Sequence, residues 1–239
     1  MNEPSNAPML TPAPGPSGWI PVWIKAVTQP REQTFAELAA SPNARASTGY
    51  LWYFVGGIVQ FLLIFLVQGT LMGPMLRQFG ADVNQFNTGG LGTLITVICG
   101  APIAAAISTV FFAIGALIVQ WIAKMFGGRG TNDQLAYTLS AILTPYLIIS
   151  GLLTLLSAIP YVGFCFGLVS ILAGIYILVL EVMAVKGVNQ FGWGQAIGSL
   201  FIPALVIGFL CACLAIAVFA ALGPMIGNVF SSINQSIVP

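Results

Sequence analysis

Charged positions in this chain sit in a few short clusters, and the sequence between them is apolar over long distances. Between Arg45 and Arg77 lie 31 uncharged residues, between Asp82 and Lys124 41, between Asp133 and Glu181 47, and after Lys186 53. A helix that crosses a bilayer needs roughly 20 apolar residues. We place five spans, at about 50–72, 91–123, 134–158, 161–185 and 195–222. The second is longer than a single crossing requires. Its 33 residues make a helix of about 50 Å, against a hydrocarbon core of roughly 30 Å. It must tilt, protrude or break, and Gly100-Ala101-Pro102 is the expected break. Thr131 and Gln134 have the spacing of a capping box ahead of span three. Ile159-Pro160 reads as a tight turn into span four. Tyr50, Trp52 and Tyr53 open span one as an aromatic belt at headgroup level.

The flanks differ from the spans. Residues 1–18 hold five of the fifteen prolines and a single charge, a composition that cannot repay ordering and predicts a flexible or polyproline-like tail. In 19–48 the pattern predicts an amphipathic, interfacial arm. Trp19, Trp23 and Lys25 crowd together with Ile20, Val22, Ile24 and Val27. Pro30 suits the first turn of a helix, with Glu32 close behind it. Phe35, Leu38 and Ala39 then share one face, and Pro42 ends it. One or two short helices lying in the membrane interface are expected, anchored by Trp19, Trp23, Lys25 and Phe35. Residues 223–239 carry no charge and read as an extracytoplasmic tail.

Composition narrows the class. Of 239 residues, 58% are hydrophobic and 5% charged, against about 25% charged in an ordinary soluble domain. Thirteen charged side chains cannot cover an aqueous globule. The fold class is therefore all-α: a polytopic integral membrane protein, a five-helix transmembrane bundle with an N-terminal interfacial helix. There is no histidine, which removes the commonest metal ligand and proton carrier. Cys99, Cys165, Cys211 and Cys213 all fall in apolar stretches and read as small hydrophobes. A net charge of +1 gives no surface for nucleic acid. No Lys or Arg precedes Lys25, so the N-terminus does not read as a secretory signal.

Basic residues set the expected orientation. Lys25, Arg31 and Arg45, the loop with Lys124 and Arg129, and Lys186 all fall on one side of the five spans. Arg77 alone falls on the other. A multi-pass protein of the cell (inner) membrane is expected, with the N-terminus cytoplasmic and the C-terminus outside.

Candidate chemistry is sparse. Gly163, Gly167, Ser170 and Gly174 form a stripe of small residues along span four, which permits close backbone approach in lipid and predicts that span four packs at the bundle centre. Glu181 continues that stripe and is the one charge expected inside a span. Such a residue is a functional candidate. It lies only about 7.5 Å deeper than Lys186, and a structural pair with Lys124, Arg129 or Lys186 is the expected role, with an ion or proton relay as the alternative. Gly127-Gly128-Arg129-Gly130 reads as a glycine turn that sets Arg129 near anionic headgroups. Gln60, Gln68 and Gln120 are expected to hydrogen-bond between helices. No nucleophile–base pair, carboxylate dyad or metal cluster is visible, so neither catalysis, metal nor cofactor is expected.

Taken together, Trp23-Ile24-Lys25, Pro30, Thr34-Phe35 and above all the block FGGRGTNDQLAYTLSAILTPYLI (126–148), with Gly127, Gly128, Gly130, Tyr137 and Pro145, resemble the Yip family of Ypt-interacting proteins in its prokaryotic form. Tyr176 in span four fits as well, and the likeness covers roughly 19–222. The resemblance implies five spans, a cytoplasmic N-terminus and no enzymatic activity. Eukaryotic members bind Rab-type GTPases, associate with one another and serve vesicle traffic and membrane shaping. Here the arm is short and proline-rich and the DLYGP-type signature is absent, so Rab-type GTPase binding is not carried over. The function expected is a non-catalytic membrane protein: a scaffold, an assembly factor, an accessory subunit of a membrane complex, or an organiser of the membrane itself. Its partners would be the lipid bilayer and other membrane proteins or a second copy. A small-solute or ion transporter or channel is the alternative, since prolines inside spans two, three and five could interrupt helices around a site.

Overall fold

In lipid, a backbone must satisfy its own polar groups, and long uncharged apolar segments do so as helices. The computed structural model describes residues 16–78, 89–159 and 163–237, and among them are seven helices and no strand. Two are short: α1 (Pro16–Thr28) and α2 (Glu32–Ala39). Five are long: α3 (Ala46–Gln78), α4 (Gly89–Met125), α5 (Asn132–Ser157), α6 (Gly163–Asn189) and α7 (Trp193–Ile237). Each of the five contains a stretch long and apolar enough to cross a membrane. The first fifteen residues of the proline-rich segment, and Pro160 in the expected turn, lie outside the described residues.

Two boundaries differ from the sequence reading. Helix α4 runs without interruption through Pro102, so the break expected at Gly100-Ala101-Pro102 is absent. A proline costs a helix one hydrogen bond, and neighbouring helices in a bundle make that loss tolerable. Ala101 and Ala105 on either side are fully buried. Helix α7 continues to Ile237, through most of the stretch read as a tail. At 45 residues it would be about 68 Å long, over twice a hydrocarbon core. The capping box ahead of α5 forms as expected: Thr131 accepts from the Gln134 backbone while the Gln134 side chain accepts from the Thr131 backbone.

The bundle centre is α5, not α6. Helix α5 packs most extensively on α3 and also touches α1, α2, α4 and α6. The α3–α5 seam is made of small residues. A Cβ at Gly49 would stand 2.8 Å from Ser140 Oγ, one at Gly56 3.0 Å from Thr144 Cγ2, and one at Gly151 3.1 Å from Gln60 Cα. Gln60 Nε2 donates to Ser150 Oγ across the same seam at 2.9 Å. In lipid, such close packing and interhelical hydrogen bonds drive association, because acyl chains are as apolar as leucine. At the seam's end the Asp133 carboxylate accepts from Ala46 N at 3.0 Å, so α5 caps the start of α3.

Candidate functional site

Three features gather toward the end of the bundle that carries Lys25, Lys124, Arg129 and Lys186, here called the basic end. The first is the arm. Trp19 and Trp23 on α1 turn inward onto Trp52 of α3, with ring centroids 6.0 and 5.9 Å away, and Trp52 lies 4.8 Å from the ring of Tyr137 on α5. Trp52 is completely buried. Tyr53 stacks on Phe112 at 4.3 Å, and Tyr50 meets the same ring edge-on. The aromatic belt and the anchors Trp19, Trp23 and Phe35 therefore serve the protein interior. Large rings gain most where they bury area against one another. Phe35 is fully buried under α6, where Gly187 admits the backbone of α2: a Cβ there would stand 2.5 Å from Glu32 O. Lys25 stays at the surface and pairs with Glu37 at 2.7 Å. Tyr176 Oη donates to Val27 O at 2.6 Å, fastening α1 to α6. What α1 leaves outward is Ile20 and Ile24.

The second feature is a buried amide latch. Gln120 Nε2 on α4 donates to Gly130 O at 2.7 Å and to Asn189 Oδ1 at 2.9 Å. Asn189, the last residue of α6, also accepts from Gly130 N at 3.2 Å and donates through Nδ2 to Val185 O at 3.0 Å. Its backbone carbonyl accepts from Arg129 N. Both side chains are essentially inaccessible. The glycines follow from this closeness. A Cβ on Gly128 would meet Asn189 Oδ1 at 2.6 Å, and one on Gly130 would meet Val188 Cγ1 at 2.6 Å. Gly127 adopts φ +87°, which a side chain would strain. The glycine turn is thus a clasp locking the α4–α5 connection to the end of α6, while Arg129 stays at least partly exposed beside it. The sequence reading did not single out Asn189. The signal available was an amide closing a long apolar span, where an unpartnered polar group would be costly.

The third feature is a cavity of about 260 Å³ between α4, α5, α6 and α7, walled by Phe112, Leu139, Leu143, Leu200, Pro203 and Ile207 among others, with Glu181 the one charged residue in its lining. The expected ion pair with Lys124, Arg129 or Lys186 does not form. Lys186 instead pairs with Glu32 of α2 and lies 4.4 Å from the centroid of the Trp193 ring. Five residues of helix turn Lys186 about 140° away from Glu181. Lys124 and Arg129 remain open to the surface. Glu181 forms no hydrogen bond or ion pair with any described residue.

The stripe on α6 is a further correction. At Gly167 nothing lies within 4 Å of where a Cβ would stand, and at Gly174 only Tyr146 Oη approaches, at 3.6 Å. Ser170 bonds back to Phe166 O within its own helix. Gly163 serves the turn from α5, its N–H donating to Ile159 O. Close approach is delivered by the α3–α5 seam, whose Ala136, Ser140 and Thr144 recur every fourth residue, a small-residue pattern the sequence displayed equally well. Pro145 and Tyr137 lie on the central helix, Tyr137 buried.

A family model described as the Yip1 domain matches residues 24–216. No curated protein and no solved structure gives a match.

Proposed function

From the premise that this chain, a multi-pass membrane protein, belongs to the Yip1 domain family, we propose that it is a non-catalytic scaffold or accessory subunit that gathers other membrane-embedded helices. The observation that supports this reading most is the state of α7. From Ala204 to Ala220 every residue is exposed around the whole circumference of the helix. The outer half of α6, from Phe164 to Tyr176, is mostly exposed as well. Helices in lipid gain by van der Waals packing and close approach, and Gly208 offers that approach on α7, with nothing among the described residues within 4 Å of where a Cβ would stand. Lipid or a second protein can fill the position; the reading assigns it to protein.

Native cysteines make the test direct. Cys165, Cys211 and Cys213 lie on these exposed surfaces. Treatment of native membranes with a membrane-permeant bismaleimide is expected to give a discrete cross-linked species through Cys211 or Cys213, identifiable by mass spectrometry. A species that stays monomeric under all cross-linking, and in mild detergent, defeats the reading. We place the protein in the cell membrane with its basic end cytoplasmic, by the distribution of Lys and Arg. A reporter enzyme fused after Pro239 should then be active only outside the cytoplasm. The cavity at Glu181 favours a second reading, passage of a small solute or ion, which a flux assay in proteoliposomes separates from the first.

A further inference from the structure

We propose that the cavity between α4, α5, α6 and α7 binds a membrane-dissolved amine: an amphiphile with one cationic nitrogen, held by the Glu181 carboxylate, and a hydrocarbon chain lying among Phe112, Leu143, Leu200 and Ile207. This goes beyond the scaffold reading and does not depend on it.

A carboxylate at membrane depth is expensive unless paired, and Glu181 has no cation from its own chain among the described residues. Lys25 is engaged by Glu37 and Lys186 by Glu32. Lys124 and Arg129 are open to the surface and bond to no described carboxylate. A cationic ligand from outside meets that cost, in competition with proton uptake by the carboxyl itself, which would leave no charge for an amine to pair. A metal ion fits poorly: hard cations such as calcium take about six to eight oxygen ligands, and the lining side chains supply one carboxylate among apolar groups. The walls select the rest of the ligand. Their apolar surface greatly exceeds their polar surface, so an alkyl chain gains burial and a hydrated inorganic cation does not. The volume of about 260 Å³ falls just below the usual range of about 300–1,000 Å³ for small-molecule sites. That suits a slender chain better than a ring system. The site also has a built depth. Leu139 and Leu143 on α5 and Leu200 and Ile207 on α7 lie about two to four helical turns in from the basic end, so a ligand reaches it from the bilayer.

The test uses the full-length protein in phosphatidylcholine nanodiscs, with dodecylamine and dodecanol as matched probes. Dodecylamine is expected to raise the thermal unfolding midpoint by about 3 °C or more relative to dodecanol, and Glu181→Gln should abolish the difference. Equal effects of amine and alcohol on the wild-type protein overturn the proposal, as does an amine effect that survives intact in the variant. Should Glu181→Gln fail to fold, the wild-type protein locates the site. Carbodiimide modification of Glu181, read by peptide mass spectrometry, should slow about fivefold or more with dodecyltrimethylammonium, whose nitrogen cannot couple to the activated carboxyl, and less than about twofold with dodecanol. Equal rates with both probes count against it.

Discussion

The two ends of this bundle are built from the same kinds of residue and are packed by different rules. At the basic end, α1 and α2 fold back over the helices, three tryptophans and Tyr137 interlock, and Gln120 and Asn189 clasp the glycine turn. At the far end, α7 and the outer half of α6 stand apart with leucines, isoleucines and phenylalanines outward. The difference is one of contact and not of hydropathy: the α7 span is the most apolar of the five and the least buried. In a membrane, apolar surface has two equally good solvents, protein and lipid, so hydrophobicity alone does not gather helices. What gathers them here is small residues in matching register and polar groups that must find one another.

Glycine position should break the comparison most sharply. Gly49→Val forces a branched side chain into the α3–α5 seam, where Ser140 Oγ and Ala136 O already stand within 2.9 Å of a Cβ. It should lower unfolding free energy by about 3 kcal/mol. Gly208→Val on α7, where nothing lies within 4 Å, should change it by no more than about 0.5 kcal/mol. Thermal unfolding in one detergent compares the two, and similar losses would contradict the division of the bundle. A smaller effect is expected at the clasp. Asn189→Leu leaves the Gln120 amide and Gly130 N–H without their shared partner and should cost about 2 kcal/mol. A double-mutant cycle with Gln120→Leu should return a coupling of about 1 kcal/mol; additivity would mean the two amides act independently. A loss smaller than at the clasp is expected from the Glu32–Lys186 pair, which is partly exposed. Glu32→Gln should cost less than about 1 kcal/mol, and the loss should shrink as salt is raised. An undiminished loss in high salt would assign it to packing beneath α2.

Glu181 shows where a linear reading reaches its limit. Its depth and isolation are visible in the sequence, and they mark it as unusual. Its partner is not visible, because pairing depends on which way a helix is turned and which neighbours stand opposite. Lys186 is five residues away along the chain yet serves α2, through Glu32, which lies in the arm. Trp52 makes the same point. As a tryptophan at the start of a span it has the address of a headgroup anchor, and the fold of α1 over it makes it core.

The sequence by itself determined the solvent and the spans. Hydropathy sums over neighbours along the chain, and runs this long have no aqueous alternative. It also determined the basic end, the capping box at Thr131 and the family likeness that the match over 24–216 shows. Only the tertiary structure decided that α5 is the centre, that Trp19, Trp23 and Trp52 face inward, that α6 leaves Gly167 and Gly174 without close packing and that Glu181 faces a cavity. The reason lies in the medium. A lipid-facing surface and a protein-facing surface are equally apolar, so the pattern that reveals the buried face of a soluble helix is nearly absent here. Facing is then fixed by complementarity between distant segments, a property of pairs that no single segment carries.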